Sequence, residues 1–299
     1  MACTCEDPFL TMVKIADHPT AVEPTRPPDD GAGELAMGAQ EGAAAPSDPV
    51  GAFVQLAERC SRLTGAVAGS FFAGGRSNPI PRFTFRGPGD GLAQRRIGFF
   101  ALLHGDEPAG SMALLRWLEF LAAEPERAAG YDLVCYPLCN PTGYAGRTRH
   151  NHAGLDLNRE FWLGSPQAEV QILEHELRTQ RFDGVIALHA DDTSDGLYGY
   201  ARGQVFSENL LRPALRASER VLPRNCRTVI DGFSACEGVI TDCFPGVLAP
   251  PPEQRPRPFE IIFETPALMP LDKQAEAAQI ALHTMLSAHR GFIAHAQYL

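Results

Sequence analysis

The chain has 299 residues, of which 44% are hydrophobic and 21% charged, an ordinary balance for a soluble globular protein able to bury a sizeable core. Its formal net charge of −10 argues against a general nucleic-acid or anionic-membrane binder. No apolar stretch approaches spanning length, and the opening MACTCEDPFL lacks the basic-then-apolar pattern of a secretory signal. A cytoplasmic protein with a small-molecule or peptide substrate, and with no nucleic-acid or membrane partner, is expected. The eight cysteines are scattered without paired CxxC spacing, which predicts reduced thiols.

Residues 1–47 are rich in Pro, Gly, Ala and acids and lack periodicity, which predicts a disordered or loosely packed extension, with Met37 a candidate start. A catalytic domain is expected over 48–299. Ser47-Asp48-Pro49 is a helix start signal, and Val50, Phe53, Val54, Ala57 and Leu63 supply an apolar face. The stretch 69–86 reads as a hairpin. The apolar run Ile97 to Leu103 then stops at His104 and is broken by Gly105-Asp106-Glu107-Pro108. A helical stripe follows, at Met112, Leu115, Leu118, Phe120 and Leu121.

Tyr131–Leu138 is a second buried strand, running into the sharp loop Cys139-Asn140-Pro141-Thr142-Gly143. A polar loop spans 145–159, and an amphipathic helix spans 166–179. The third strand, 182–188, stops at His189. Helical 209–222, strand-like pieces at 229–230, 233 and 239–240, and a proline-rich loop at 249–258 come next. A last buried strand, 259–263, stops at Glu264, and a closing helix covers 273–294. Strands separated by helices predict an α/β fold: one domain with a mixed, mostly parallel twisted sheet and helices on both faces.

Three separate apolar strands thus end at a metal-type or acid–base group: His104 with Glu107, then His189, then Glu264. Ligands of open α/β sheets bind at such carboxyl ends. Two imidazoles and a carboxylate suit one Zn²⁺ with a position left for water, and the ion would lower that water's pKa. Glu264 is the candidate general base.

The segments LLHGDEPAG, NPTGYAGRTRHNHAGLDLNREF, IALHADD and IIFETP, in this order, resemble the M14 zinc carboxypeptidases. The resemblance covers roughly 65–290 and is nearest to compact bacterial members such as murein peptide amidases. The succinylglutamate desuccinylase and aspartoacylase branch shares the metal pattern. The resemblance implies that Arg149 polarises the scissile carbonyl, with Arg147 the alternative, and that Asn158 and Arg159 bind a terminal carboxylate. A planar guanidinium suits that task. Asp156 is a candidate second-layer partner. Thr241 and Asp242 fall where the family reads the C-terminal side chain, and an acid there would favour a basic residue; Asp191-Asp192 is the other candidate. The family's mobile tyrosine has no counterpart in 231–242, although Tyr198 and Tyr200 could supply a phenol. His150 and His152 read as bland loop residues, and His175, His283, His289 and His295 as solvated or capped helix residues. The expected activity is zinc-dependent hydrolysis of a C-terminal amide bond of a peptide, such as a cell-wall-derived one. The alternatives are an N-acyl amino acid deacylase with the same metal chemistry and a non-catalytic binding protein on the same fold.

Overall fold

The computed structural model describes residues 48–89 and 94–296. The expected extension over 1–47, with Cys3 and Cys5, lies outside the described residues.

The first helix, α1 (Gly51–Arg59), starts where the side chain of Asp48 accepts the backbone N–H groups of Val50 and Gly51, each at 2.9 Å. Its buried face is Phe53 and Leu56; Val54 is exposed, and Leu63 belongs to the following strand instead. β1 (Leu63–Ala73) and β2 (Arg76–Arg86) form the expected antiparallel hairpin, turning at Gly74-Gly75. β3 (Arg95–Phe100), β4 (Tyr131–Tyr136), β5 (Gly184–Asp191) and β10 (Phe259–Pro266) are the four apolar runs read in the sequence. β6 (Tyr198–Ala201) and the short β7 (Val229–Ile230), β8 (Phe233–Cys236) and β9 (Val239–Ile240) complete the sheet.

The strand order is β1-β2-β4-β3-β5-β10-β6-β9-β8-β7. The central strands β4, β3, β5 and β10 are parallel, and both flanks are largely antiparallel. The sheet is therefore mixed, as expected, with its parallel part concentrated in the middle. From β3 the chain crosses to β4 on one side and then returns to β5 on the other. The crevice between β3 and β5 is thus a topological switch point, where open α/β sheets bind ligands.

Helices cover both faces. On one face, α1, α2 (Ala109–Ala123), α6 (Arg212–Ser218) and α7 (Leu271–Ala296) pack on alternate strand residues such as Phe99, Ile186 and Ile261. Leu114, Trp117, Leu118 and Leu121 repeat at i, i+3, i+4 and i+7 and are fully buried, each worth roughly 1.5–3 kcal/mol of burial. This stripe lies beside the expected one: Met112, Leu115 and Phe120 are only half-buried. On the other face, α4 (Ala168–Gln180) packs through Val170, Leu173 and Leu177 on Phe100, Val185 and Ala187. A short helix, α5 (Gln204–Phe206), runs through a π-helical turn, Ser207–Leu211, into α6.

Cys60, Cys135, Cys139, Cys226 and Cys243 are free thiols, as expected of them. No helix among the described residues is long and apolar enough to cross a membrane.

Candidate metal centre and active site

The β3–α2 loop is shaped by its backbone. Leu102, fully buried, takes the left-handed conformation (φ 54°), so the chain turns out of the strand line before His104. Gly105 then meets the Asn140-Pro141-Thr142-Gly143 turn so closely that a Cβ would lie 2.0 Å from the Gly143 carbonyl carbon. Asn140 fastens the two loops. Its Oδ1 accepts the Gly143 N–H at 2.8 Å, and its Nδ2 donates to the Leu103 carbonyl at 3.2 Å. Two of the segments that carry the family resemblance, LLHGDEPAG and the start of NPTGYAGRTRHNHAGLDLNREF, are therefore one interlocked unit, with α3 (Pro141–Gly146) growing from it.

His104, Glu107 and His189 converge, with one ligand atom of each within 4.8 Å of the others, and all three are buried. Nδ1 of His104 lies 2.6 Å from Oε1 of Glu107, and Nδ1 of His189 lies 2.9 Å from Oε2 of the same carboxylate. The two Nδ1 atoms are 3.2 Å apart. Asp156 holds the outer side of His104, with Oδ1 3.0 Å from Nε2. A hydrogen on Nε2 shared with that carboxylate leaves the Nδ1 lone pair pointing inward. Two ring nitrogens aimed at one another across a shared carboxylate fit a cation between them, and a carboxylate–histidine pair is the usual support for a histidine ligand. Burial opposes charge on Glu107, but the two imidazoles outweigh it and hold its pKa down to about 2. Burial likewise opposes charge on Asp156, and His104 and Arg149 bring its pKa well below the usual range.

Glu264 lines the same cavity, of about 360 Å³, as His104 and Glu107, and His189 lies behind them in the donor cluster. Burial, reinforced by Glu107 and Asp191, pushes its pKa well above the ordinary carboxylate value. Arg149 also lines this cavity. It donates through Nε and Nη2 to Oδ2 of Asp156 at 3.1 and 3.0 Å, and its Nη1 is 3.5 Å from Oε1 of Glu107. Arg147, its alternative, is exposed and lines a separate, larger cleft of about 1480 Å³ between α1, the hairpin and α3. That cleft contains none of the three donors and shares only Asp106 with the smaller cavity.

Asn158 and Arg159 reach the cavity from a single 3₁₀ turn, Leu157–Arg159, opened by Asp156, whose side chain accepts the Asn158 N–H. Asn158 Oδ1 accepts the Leu248 N–H at 2.8 Å, and its Nδ2 lies 3.4 Å from Nε2 of His189. Among the described residues, no carboxylate is in ion-pair range of Arg159. The phenols of Tyr198 and Tyr200 face the cavity but are committed: Tyr198 donates to Asp191 at 2.9 Å and Tyr200 to Asp231 at 2.7 Å. Burial raises the pKa of both.

Thr241 and Asp242 are corrected. Both are exposed, and neither lines the cavity. Ile240 points to the site face of the sheet and Val239 to the other, so Thr241, by alternation, points away as Val239 does. Besides Glu107 and Glu264, the acids that line the cavity are Asp106, Asp191, Asp192 and Asp231. Asp231 sits with Gly232 in the two-residue turn joining β7 to β8. An Asp-Gly pair between strand-like pieces was the available signal. His150, His152 and His175 are exposed, as expected. His289 is not: it is buried with Nδ1 2.9 Å from the Tyr131 hydroxyl.

The donor set and topology together define a metallo-carboxypeptidase-like fold, and comparison with known proteins agrees. Residues 93–225 match the succinylglutamate desuccinylase/aspartoacylase catalytic domain. A candidate metallopeptidase of Shewanella amazonensis SB2B superposes with a TM-score of 0.66 at 25% identity, over 80% of this chain and 91% of that one. A metallo-carboxypeptidase from Burkholderia cenocepacia superposes with a TM-score of 0.64 at 14% identity, over 81% of this chain and 68% of that one. Carboxypeptidase SOL1 of Arabidopsis thaliana is 27% identical over 158 residues, 46% of this chain but only 31% of the plant protein. The resemblance read from the sequence is thereby borne out.

Proposed function

We propose that this chain is a zinc-dependent hydrolase that cleaves an amide bond beside a free carboxylate, as a carboxypeptidase acting on small peptides such as cell-wall-derived ones. The observation that carries this reading is the buried cluster of His104, Glu107 and His189 beside a cavity lined by His104, Glu107, Glu264 and an Arg159 that has no carboxylate partner among the described residues. His104 and His189 through Nδ1, with Glu107, would hold the ion. When bound, zinc supplies Lewis-acid polarisation of the scissile carbonyl and makes a water more acidic.

The other roles belong to the chain's own residues. Glu264 accepts the proton of the attacking water on its carboxylate and delivers it to the leaving amine. A carboxylate whose proton affinity is raised by burial suits a group that must hold that proton between the two steps. Arg149, fixed by Asp156, presents a cation to the oxygen on which negative charge develops, worth on the order of 3 kcal/mol of barrier. Arg159 receives the substrate carboxylate in a two-pronged fork. Asp191, Asp192 and Asp231 on the cavity wall favour a released residue whose side chain is cationic.

A second reading, an N-acyl amino acid deacylase, is favoured by the match over 93–225. One experiment separates the two. Zinc content is measured alongside chelator-sensitive hydrolysis of C-terminal dipeptides, γ-glutamyl-diaminopimelate peptides and N-acyl amino acids. One zinc per chain with peptide cleavage supports the carboxypeptidase. Cleavage of acyl amino acids alone selects the deacylase, and a chain that neither binds zinc nor turns over any substrate is a binding protein.

A further inference from the structure

The segment from Cys243 to Leu248 grips the turn that carries Asn158 and Arg159. The Arg159 guanidinium carbon lies 4.4 Å from the centre of the Phe244 ring, in cation–π contact. Phe244 is itself held edge-on against Phe233, with centroids 4.7 Å apart and planes at 75°. Two residues on, Gly246 is left-handed (φ 76°), and a Cβ there would lie 2.2 Å from the Arg159 carbonyl oxygen and 2.4 Å from its carbonyl carbon. Only glycine allows that approach, and it places the Gly246 carbonyl 3.0 Å from the Phe161 N–H that donates to it. The Leu248 N–H then donates to Oδ1 of Asn158 at 2.8 Å. One short loop, distant in sequence, therefore fixes the backbone, the amide and the guanidinium of the same turn.

Arg159 makes one further contact, from Nη1 to the Asn158 carbonyl at 2.9 Å. A long side chain at a cavity wall would otherwise explore many rotamers, and ordering it on binding would weaken the capture of an anion. The Phe244 face removes that freedom in advance and leaves the in-plane N–H groups for a carboxylate.

We infer that Phe244 and Gly246 are positioning residues that preset Arg159 for a substrate carboxylate. This rests on the proposed hydrolase reading and deepens it. Phe244 lines the cavity beside Arg159 and Gly246 does not, and neither carries a group for the proposed proton transfers, so their replacement should act on binding of the carboxylate and leave the chemical step alone.

The test compares Phe244→Leu, Phe244→Tyr and Gly246→Ala with wild type, on a dipeptide with a free C-terminal carboxylate and on the same dipeptide as its amide. In parallel, calorimetry measures binding of benzoyl-arginine and of benzoyl-arginine amide, which needs no turnover. KM for the free acid, and the dissociation constant of benzoyl-arginine, should rise roughly tenfold in Phe244→Leu and Gly246→Ala, the size of a lost cation–π contact at a half-buried site. kcat should stay within about twofold, the amides should be unaffected, and Phe244→Tyr, which keeps the ring, should retain wild-type values. Unchanged acid-over-amide preference in the variants, or an equal loss for both substrates, overturns the inference. If wild type cleaves neither substrate but binds the acid over the amide, and the variants lose that preference, the hydrolase reading fails while the positioning role stands. A wild type blind to the carboxylate overturns both.

Discussion

His189 and Glu264 are register partners on adjacent parallel strands, β5 and β10. Side chains of register partners leave a sheet on the same face. His189 therefore follows Val185 and Ala187, and Glu264 follows Ile262, onto the face that carries Tyr198 and Tyr200. The register brings a metal-type donor and an acid–base group to one face of the sheet while keeping Glu264 outside the donor set. The proposed base is thus positioned by backbone hydrogen bonds, independently of the donor set.

From that separation, Glu264→Gln should lower kcat by about 10²–10⁴-fold, the contribution of a positioned general base, with zinc content unchanged. His189→Ala should lose the zinc together with the activity. Elemental analysis of purified protein beside initial rates decides it. Loss of zinc in Glu264→Gln would place that carboxylate among the ligands.

Asp156 supports two groups at once: Nε2 of His104 through Oδ1, and the guanidinium of Arg149 through Oδ2. Asp156→Ala should weaken zinc affinity by roughly 10–100-fold, as loss of a ligand's outer partner does. Competition with a chelator measures this. An affinity equal to wild type would show that His104 is oriented by packing alone.

How much of this was legible in the sequence follows from what each residue depends on. His104, His189 and Glu264 each end a continuous apolar run, and a polar group at such a boundary is visible without knowing the sheet order. The register that joins them was not visible, because it depends on long-range strand pairing. Asp156 is legible as a supporting acid, but not which ligand it supports, because His104 lies 52 residues away and only the fold brings the two together. The mistaken choice of Thr241 and Asp242 has a similar origin. β9 is only two residues long, so the sequence offers too few alternating positions to show which way Thr241 faces. The helical spacing around His289 fits a solvated or capped residue, because nothing local shows that Tyr131 packs against it.

The acidic wall gives a specificity prediction. Asp231 is exposed on the cavity rim, with Oδ2 accepting the Tyr200 hydroxyl. Asp231→Asn should lower kcat/KM for peptides ending in lysine or arginine by roughly 10–100-fold, the effect of removing a charge-assisted contact, and leave those ending in leucine within a few-fold. A matched peptide series reads this out. An equal drop across the series would make Asp231 a structural element of its turn instead.

His289 sets a pH limit on folding that is independent of the site. Burial, aided by Arg95, lowers its pKa from 6.5 to about 4, so it is neutral in the folded state at pH 7. The unfolded chain takes up this proton first as pH falls, so protonation favours unfolding. The stability tied to a neutral His289 is present in full above about pH 6.5 and is lost progressively down to about pH 4. The difference of about 2.5 units corresponds to on the order of 3 kcal/mol. His289→Gln cannot titrate, so although less stable than wild type at pH 7.5 it should lack this component of acid sensitivity. Urea unfolding at pH 7.5, 5.5 and 4.5 should show the gap between the two proteins narrowing by that amount. Parallel curves would mean that His289 already carries its proton in the fold, paired with the Tyr131 oxygen as a donor.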